Sequence, residues 1–167
     1  FPTPKAVIEK MIAPLLKEAY AHHRYLPYSQ ILEPSAGKGD IADYITKYCE
    51  RHAAQVFCIE IEPELQMILS GKGYKVIDSD FLCYADHYLF DLIAMNPPFD
   101  QGVDHLLKAW EVLHTGDVVC ILNAETILNP YTEKRKLLKR IIDQHGRYEN
   151  IGAAFRYAER PTDVECV

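Results

Sequence analysis

Short apolar runs alternate with amphipathic segments along the whole chain. Runs rich in β-branched and aromatic residues predict strands at 29–34, 55–61, 74–77, 90–95 and 117–123, with two more near 149–156 and 163–167. Between them, helical spacing of apolar residues predicts helices over 4–23, 40–51, 63–70, 101–114 and 132–145. Strands that alternate with helices of this length form a parallel sheet covered on both faces. We therefore expect one α/β domain over residues 1–167: a Rossmann-like, doubly wound, mostly parallel seven-stranded sheet with helices on both faces.

Proline and glycine mark the ends of several predicted helices. Pro14 should kink or split the first helix, because proline lacks the N–H that a helix interior needs. Pro63 stands at a first helical position, and Gly71 and Gly73 end the helix that it begins. The apolar face of helix 101–114 is expected to bury Trp110 in the core.

The charge of the chain excludes some partners. The net charge of −6 over 167 residues argues against a protein that coats nucleic acid non-specifically. Residues 131–147 are the exception, with six basic and two acidic residues, and we interpret them as a solvated helix face in preference to a phosphate-contacting surface. No apolar run approaches the roughly 20 residues of a membrane helix, so we expect no membrane partner.

The cysteines indicate the cellular compartment, and the chain ends indicate whether the sequence is a fragment. The five cysteines are scattered without any CxxC pair, which predicts neither a metal site nor a disulfide framework and indicates a reducing cytoplasm. The sequence begins with Phe1 instead of Met, and residues 163–167 resemble the start of a strand. We therefore expect a fragment that is truncated at its C-terminal strand.

Polar signals follow the first four predicted strands. The segment 33–39 lies at the end of the first strand, and Glu60, Asp80 and Asn96 follow the next three. Ligands of open parallel sheets bind beyond the carboxyl ends of the strands. We therefore expect these residues to share one ligand site.

The segment from Gly37 to Ala42 fits the G-x-G-x-x-G/A pattern between a strand and a helix, and Glu60 follows about 20 residues later, where an acid bonds ribose hydroxyls. The same pattern also fits a plain tight turn. Glu33 directly precedes the loop, where its charge would repel a pyrophosphate and suit a cationic or amino-bearing ligand. This favours a nucleoside ligand other than a nicotinamide dinucleotide, although an oxidoreductase stays an alternative.

The tetrapeptide Asn96-Pro97-Pro98-Phe99 is suited to hold a planar amino group. The two prolines stiffen the loop at the end of its strand. The Asn96 side-chain oxygen and the Pro97 carbonyl can each accept one N–H, and Phe99 can stack on the attached ring. A mere turn is the alternative interpretation.

Together, the segment Glu33-Pro34-Ser35-Ala36-Gly37-Lys38-Gly39 and the tetrapeptide resemble the class I S-adenosylmethionine-dependent amino-methyltransferases. More narrowly, the chain resembles the gamma-type DNA adenine-N6 methyltransferases, in which a segment with Thr-Pro precedes the glycine motif, as Thr3-Pro4 does here. The resemblance implies S-adenosylmethionine as cofactor and N6 of adenine in DNA as acceptor. It also implies a recognition domain or specificity subunit, for which no residues remain in this chain.

The resemblance implies a role for individual residues. For the methionine part of the cofactor, the implied contacts are Thr3 and Pro4, Glu33 with the amino group, and the backbone of Pro34, Ser35, Ala36, Gly37 and Gly39. For the nucleoside part, they are Glu60 with the ribose, Ile61 and Phe81 with the adenine ring, and Asp80 with the adenine amino group. Asn96 is a further implied cofactor contact. Asn96, Pro97, Pro98 and Phe99 form the implied catalytic motif, and Phe99 and Phe155 the implied sandwich around the substrate base. Phe81 and Phe155 fit core positions equally well.

Other acceptors and roles stay open at this point. An RNA adenine or a protein glutamine amide would use the same chemistry, although enzymes of the latter kind usually have tyrosine at the position of Phe99. A non-catalytic cofactor-binding subunit is a further alternative, against which the intact Asn96 argues.

Overall fold

A computed structural model of the protein describes residues 2–19, 23–49, 54–85, 87–152 and 164–166. The helices are α1 (Lys5–Ile12), α2 (Asp40–Ile45), α3 (Pro63–Gly71), α4 (Gly102–Val112), α5 (Glu125–Leu128) and α6 (Glu133–His145), with 3-10 turns at Ala13–Leu15 and Phe81–Cys83. The strands are β1 (Lys17–Glu18), β2 (Arg24–Tyr25), β3 (Gln30–Pro34), β4 (Gln55–Ile59), β5 (Lys75–Asp78), β6 (Phe90–Met95), β7 (Leu113–Asn123), β8 (Glu149–Gly152) and β9 (Val164–Cys166). In this part of the chain, no helix is long and apolar enough to cross a membrane.

The main sheet has the strand order β5-β4-β3-β6-β7-β9-β8, and β1 and β2 form a separate ribbon. Strands β3 to β7 are parallel, and β9 is antiparallel to both of its neighbours. The chain builds the sheet outward from β3 to β5 and then returns to place β6 on the other side of β3. The predicted doubly wound, mostly parallel α/β architecture is confirmed, and its switch point lies between β3 and β6.

Side chains of the central strands alternate between two apolar layers. Ile31 and Leu92 face the layer of α1 and α2, whereas Leu32 and Ile93 face the layer of α4, α5 and α6. Both pairs are fully buried, which explains why apolar residues stand next to one another in these strands instead of alternating with polar ones. The two layers hold the sheet rigidly, so the loops at its carboxyl edge have fixed starting points.

Three predictions differ from the structure, and one of them is the helix expected over 40–51, which ends at Ile45. The helix expected over 4–23 ends at Ile12, and Pro14 lies in a 3-10 turn, after which the chain forms the ribbon of β1 and β2. The prediction of a break at Pro14 was correct, but the helical continuation beyond it was wrong, because the chain reverses there. Trp110, expected in the core, is 44% exposed and lies beside the ring of His145.

Candidate active site

The loop after β3 uses left-handed backbone at three positions. Ser35 and Gly37 have φ of 57°, and Gly39 has φ of 81°. The N–H of Ala36 donates to the carbonyl of Ile59 at the end of β4 (3.0 Å), and the N–H of Gly39 donates back to the carbonyl of Ala36 (2.8 Å). The loop that follows β3 is therefore hydrogen-bonded to the end of β4 and to itself before it enters α2.

The two glycines of this loop have different surroundings. A Cβ added at Gly37 would meet no atom within 4 Å, so this position faces open space. A Cβ at Gly39 would lie 2.8 Å from Cδ2 of Leu69, on α3. Gly39 therefore allows close packing, while Gly37 leaves room beside the loop for a ligand.

Glu33 is buried behind the glycine loop, where it is 2% exposed. Its Oε2 accepts a hydrogen bond from the N–H of Ala42 on α2 (2.8 Å). Burial raises the pKa of the Glu33 carboxyl well above its ordinary value, the N–H groups of Ala42 and Ile41 oppose the shift, and the charges of Asp40 and Asp43 add to it. Glu33 thus fixes the strand-to-helix turn, and its implied contact with a methionine amino group stays a prediction.

Glu60 lies at the end of β4 and connects two loops of the site. Its Oε2 accepts from the N–H of Gly37 (2.6 Å), and its Oε1 accepts from the N–H of Glu62 (3.0 Å). A carboxylate can accept about four hydrogen bonds, so capacity remains for two ligand hydroxyls. Beside it, the apolar side chain of Ile61 is 64% exposed, as expected of a surface that a ligand ring covers.

Asp80 and Phe81 follow β5 and have different environments. Oδ1 of Asp80 accepts from the N–H of Leu82 (2.9 Å), and the Cys83 thiol and this N–H lower the pKa of the Asp80 carboxyl. Asp80 is therefore a carboxylate acceptor at neutral pH. The ring of Phe81 is 2% exposed and packs with that of His105, which is the core placement that the sequence left open.

Asn96 is held by the segment that precedes α1. Its Nδ2 donates to the hydroxyl oxygen of Thr3 (3.0 Å), and the N–H of Thr3 donates to Oδ2 of Asp40 (3.1 Å). Asp40 is the first residue of α2, directly after the glycine loop. The start of the chain, the glycine loop and the end of β6 are therefore connected through two hydrogen bonds.

The other amide atom of Asn96 has no such partner. Oδ1 is buried and accepts no hydrogen bond from any residue that the structure describes. A buried acceptor without a donor costs about 1–3 kcal/mol, so such groups need an explanation. Because Nδ2 is held by Thr3, Oδ1 is the amide atom that is left for a further donor.

The rest of the tetrapeptide forms the turn between β6 and α4. Pro97 is buried, Pro98 is exposed, and the carbonyl of Pro98 accepts from the N–H of Gln101 (2.9 Å). Phe99 is half-buried and packs in part against the core layer of α1 and α2. The part of its ring that stays accessible could contact a substrate base, and this stacking role stays a prediction.

The structure brings most predicted site residues to one edge of the sheet. Pro4, exposed at the start of α1, accepts from two N–H groups of that helix through its carbonyl. Phe155 lies outside the described residues. Asp40 was missed, because its contact with Thr3 joins positions 37 apart that no local pattern connects. Within the described ranges, no group of metal-ligating side chains is present.

The chain is similar to solved methyltransferase structures. No family model matches it, and no curated protein sequence is significantly similar to it. It superposes with a TM-score of 0.71 and 15% identity on a type I restriction-modification methyltransferase subunit from Streptococcus thermophilus, covering 100% of this chain and 44% of that one. For a Plasmodium falciparum dimethyladenosine transferase the TM-score is 0.66 at 14% identity (99% and 60% covered), and for the 23S rRNA methyltransferase ErmE it is 0.66 at 15% (99% and 68%).

These similarities establish the fold. The protein has the fold of the class I S-adenosylmethionine-dependent methyltransferases. The chain spans about half to two thirds of the length of these three proteins. At 14–15% identity, these similarities show the fold alone.

Proposed function

We propose that this protein transfers a methyl group from S-adenosylmethionine to an exocyclic amino group, namely N6 of adenine in DNA. The observation that carries the proposal is the buried, unpartnered Oδ1 of Asn96 at the carboxyl end of β6. An acceptor atom in this position, with its amide fixed by Thr3, fits the N–H of an incoming amine.

The residues around the glycine loop fit S-adenosylmethionine. The open side of Gly37 gives room for the backbone to approach the methionine part, and Glu60 has capacity for two ribose hydroxyls. The exposed Ile61 offers an apolar surface for the adenine ring, and the Asp80 carboxylate can accept from its amino group. Bound in this way, the cofactor supplies an electrophilic methyl group beside Asn96.

The tetrapeptide supplies the acceptor side of the chemistry. The lone pair of an adenine amino group is delocalised into the ring, so the nitrogen is a poor nucleophile. When Asn96 Oδ1 and the Pro97 carbonyl each accept one N–H, the nitrogen becomes pyramidal and its lone pair is directed at the methyl carbon. The N–C bond forms as the C–S bond breaks, and the nitrogen then loses its extra proton to water. Positioning and aligned acceptors supply the rate enhancement, without a strong base.

The choice of DNA follows from the sequence resemblance and agrees with one structural similarity. The type I restriction-modification subunit superposes over the whole of this chain. A duplex adenine would have to leave the base stack to reach Asn96, and Phe99, in the same loop, would stack on it. We assign sequence recognition to a separate recognition domain or a specificity subunit. Adenine in RNA is the second candidate, favoured by the similarity to ErmE and the dimethyladenosine transferase.

Radiolabelled S-adenosylmethionine tests the proposal directly. The protein is incubated in parallel with duplex DNA, single-stranded DNA, RNA and a protein extract, and label in each fraction is counted. We expect label in DNA that Asn96→Ala removes and that Asn150→Ala, at an exposed asparagine on β8, retains. Label confined to RNA would select the second candidate, and binding of NAD in place of S-adenosylmethionine in calorimetry would overturn both.

A further inference from the structure

Tyr131 and Arg135 form an exposed pair at the start of α6. The tyrosine is 66% exposed, and the central guanidinium carbon of Arg135 lies 4.6 Å from the centre of its ring. The neighbouring apolar side chain of Leu128 is 60% exposed. An aromatic ring with a guanidinium across one face leaves its other face free for another planar group.

The segment that carries this pair contacts the helix that follows the Asn96–Phe99 turn. Nζ of Lys134 is 2.5 Å from Oδ1 of Asp104, in the first turn of α4, and α4 directly follows the Asn96–Phe99 turn. A Cβ added at Gly102, at the start of α4, would lie 2.8 Å from Leu122 on β7 and 3.9 Å from Pro97. The ends of β6 and β7 and the segment that carries the pair are therefore next to one another.

The charge of this region is only partly neutralised within the chain. Lys134 is paired with Asp104, and Lys136 with Glu133. For Arg135, no carboxylate of the described residues lies within 4.0 Å. A cation without an acid, next to an exposed aromatic ring and a proposed base pocket, is complementary to a nucleotide.

We propose that Tyr131 and Arg135 bind a nucleotide that flanks the target adenine in the nucleic-acid strand, with its base stacked on Tyr131 and its phosphate paired with Arg135. The inference rests on the proposed function, because it places the strand across the edge of the sheet from Asn96. It assigns part of α6 to strand binding, whereas the charge pattern alone favoured a solvated face.

The chain contains a matched control for this pair. Nζ of Lys139, in the middle of α6, lies 5.4 Å from the ring centre of Tyr148, which follows the helix and is 41% exposed. This second pair also combines a cation with an exposed tyrosine ring, but its lysine is paired with Asp143. Its tyrosine lies beyond the end of α6, whereas Tyr131 lies before the start of that helix. Tyr148 lines the same cavity as Gly116 and Asp117, which precede the buried carboxyl half of β7, so it lies away from the proposed strand path.

Binding of a fluorescein-labelled single-stranded oligodeoxynucleotide, in the presence of S-adenosylhomocysteine, tests the proposal. We expect Tyr131→Ala to raise the Kd by about 5-fold to 150-fold, the range for loss of one stacked base, and Tyr131→Phe to stay close to wild type. Arg135→Ala should weaken binding and reduce the slope of log Kd against log salt by about one. Tyr148→Ala should bind like wild type, and thermal unfolding and the Kd for S-adenosylhomocysteine should be unchanged in all variants.

The outcomes separate this inference from the proposed function. Equal Kd values for Tyr131→Ala, Tyr148→Ala and wild type would overturn the inference, as would absence of oligonucleotide binding by the wild type. If methylation of DNA occurs while Tyr131→Ala changes nothing, only the inference fails. If Tyr131→Ala weakens binding but no acceptor is methylated, the strand-binding surface stands and the proposed reaction fails.

Discussion

The hydroxyl oxygen of Thr3 lies 3.0 Å from Nδ2 of Asn96, across 93 positions of the chain. This contact fixes which amide atom of Asn96 faces the site, because the nitrogen is occupied and the oxygen is not. Thr3 is in turn held through its backbone N–H by Asp40. The geometry of the proposed acceptor atom therefore depends on a residue outside the sheet.

Removal of the Thr3 hydroxyl should slow methyl transfer. Thr3→Val keeps the shape of the side chain but leaves Nδ2 of Asn96 without its acceptor, so the amide can rotate out of the productive orientation. We expect kcat at saturating cofactor to fall roughly 100-fold, the lower end of what one misplaced transition-state contact costs. Thr3→Ser retains the hydroxyl and should keep most of kcat. A Thr3→Val enzyme as fast as wild type would show that the contact does not position Asn96.

The two loop glycines should separate ligand binding from stability. Gly37→Ala places a methyl group into the open space beside the loop, whereas Gly39→Ala forces a methyl group to within 2.8 Å of Leu69. Both variants carry the cost of a left-handed residue, about 1–2 kcal/mol. We expect Gly39→Ala to lower the free energy of urea unfolding further than Gly37→Ala does.

Calorimetric titration with S-adenosylhomocysteine completes this comparison. We expect Gly37→Ala to raise the Kd at least 10-fold while the protein stays folded, because the added methyl group occupies space assigned to the methionine part. Unchanged affinity in Gly37→Ala would place the ligand elsewhere.

Glu33 should make stability depend on pH. Burial raises the pKa of its carboxyl in the folded protein, so the native state retains a proton that the unfolded chain releases. The contribution of the protonated Glu33 carboxyl to the free energy of unfolding is complete below the ordinary glutamate pKa. It is lost as the pH rises through the raised pKa of the folded protein. Glutamine does not titrate, so the Glu33→Gln variant does not lose this contribution as the pH rises. The free energy of unfolding of Glu33→Gln minus that of wild type should therefore increase from pH 5 to pH 8.

Urea unfolding at several pH values measures this difference. Glu64→Gln, at an exposed position in the first turn of α3, controls for the loss of one carboxylate. If the free energies of unfolding of Glu33→Gln and wild type differ by a constant amount from pH 5 to pH 8, the raised pKa of Glu33 is contradicted.

Much of the sheet and of its functional edge is predictable from the sequence. The segments 29–34 and 90–95 carry adjacent apolar residues that point to both faces, which is typical of central parallel strands, and they form β3 and β6 within one residue. Pro63 and Gly71 mark the bounds of α3 as expected. The polar residues at the strand ends then share one edge as a consequence of parallel topology.

The parts that could not be predicted depend on tertiary contacts. A helical pattern continues past Pro14, but the chain reverses into β1 and β2. The burial of Phe81 and the exposure of Trp110 depend on which helices cover each face. The link between Asp40, Thr3 and Asn96 joins three distant segments, and the sequence contains no periodic signal for it.

Identification of the methylated nucleoside tests the central claim most directly. DNA is incubated with the protein and S-adenosylmethionine, digested to nucleosides and analysed by mass spectrometry, with Asn96→Ala and Asn150→Ala in parallel. We expect N6-methyldeoxyadenosine with wild type and with Asn150→Ala. With Asn96→Ala, the amount of this product should fall by at least about 100-fold, as for removal of an essential transition-state contact. Retention of N6-methylation in Asn96→Ala, or methylation only at a ring nitrogen or at carbon, would contradict it.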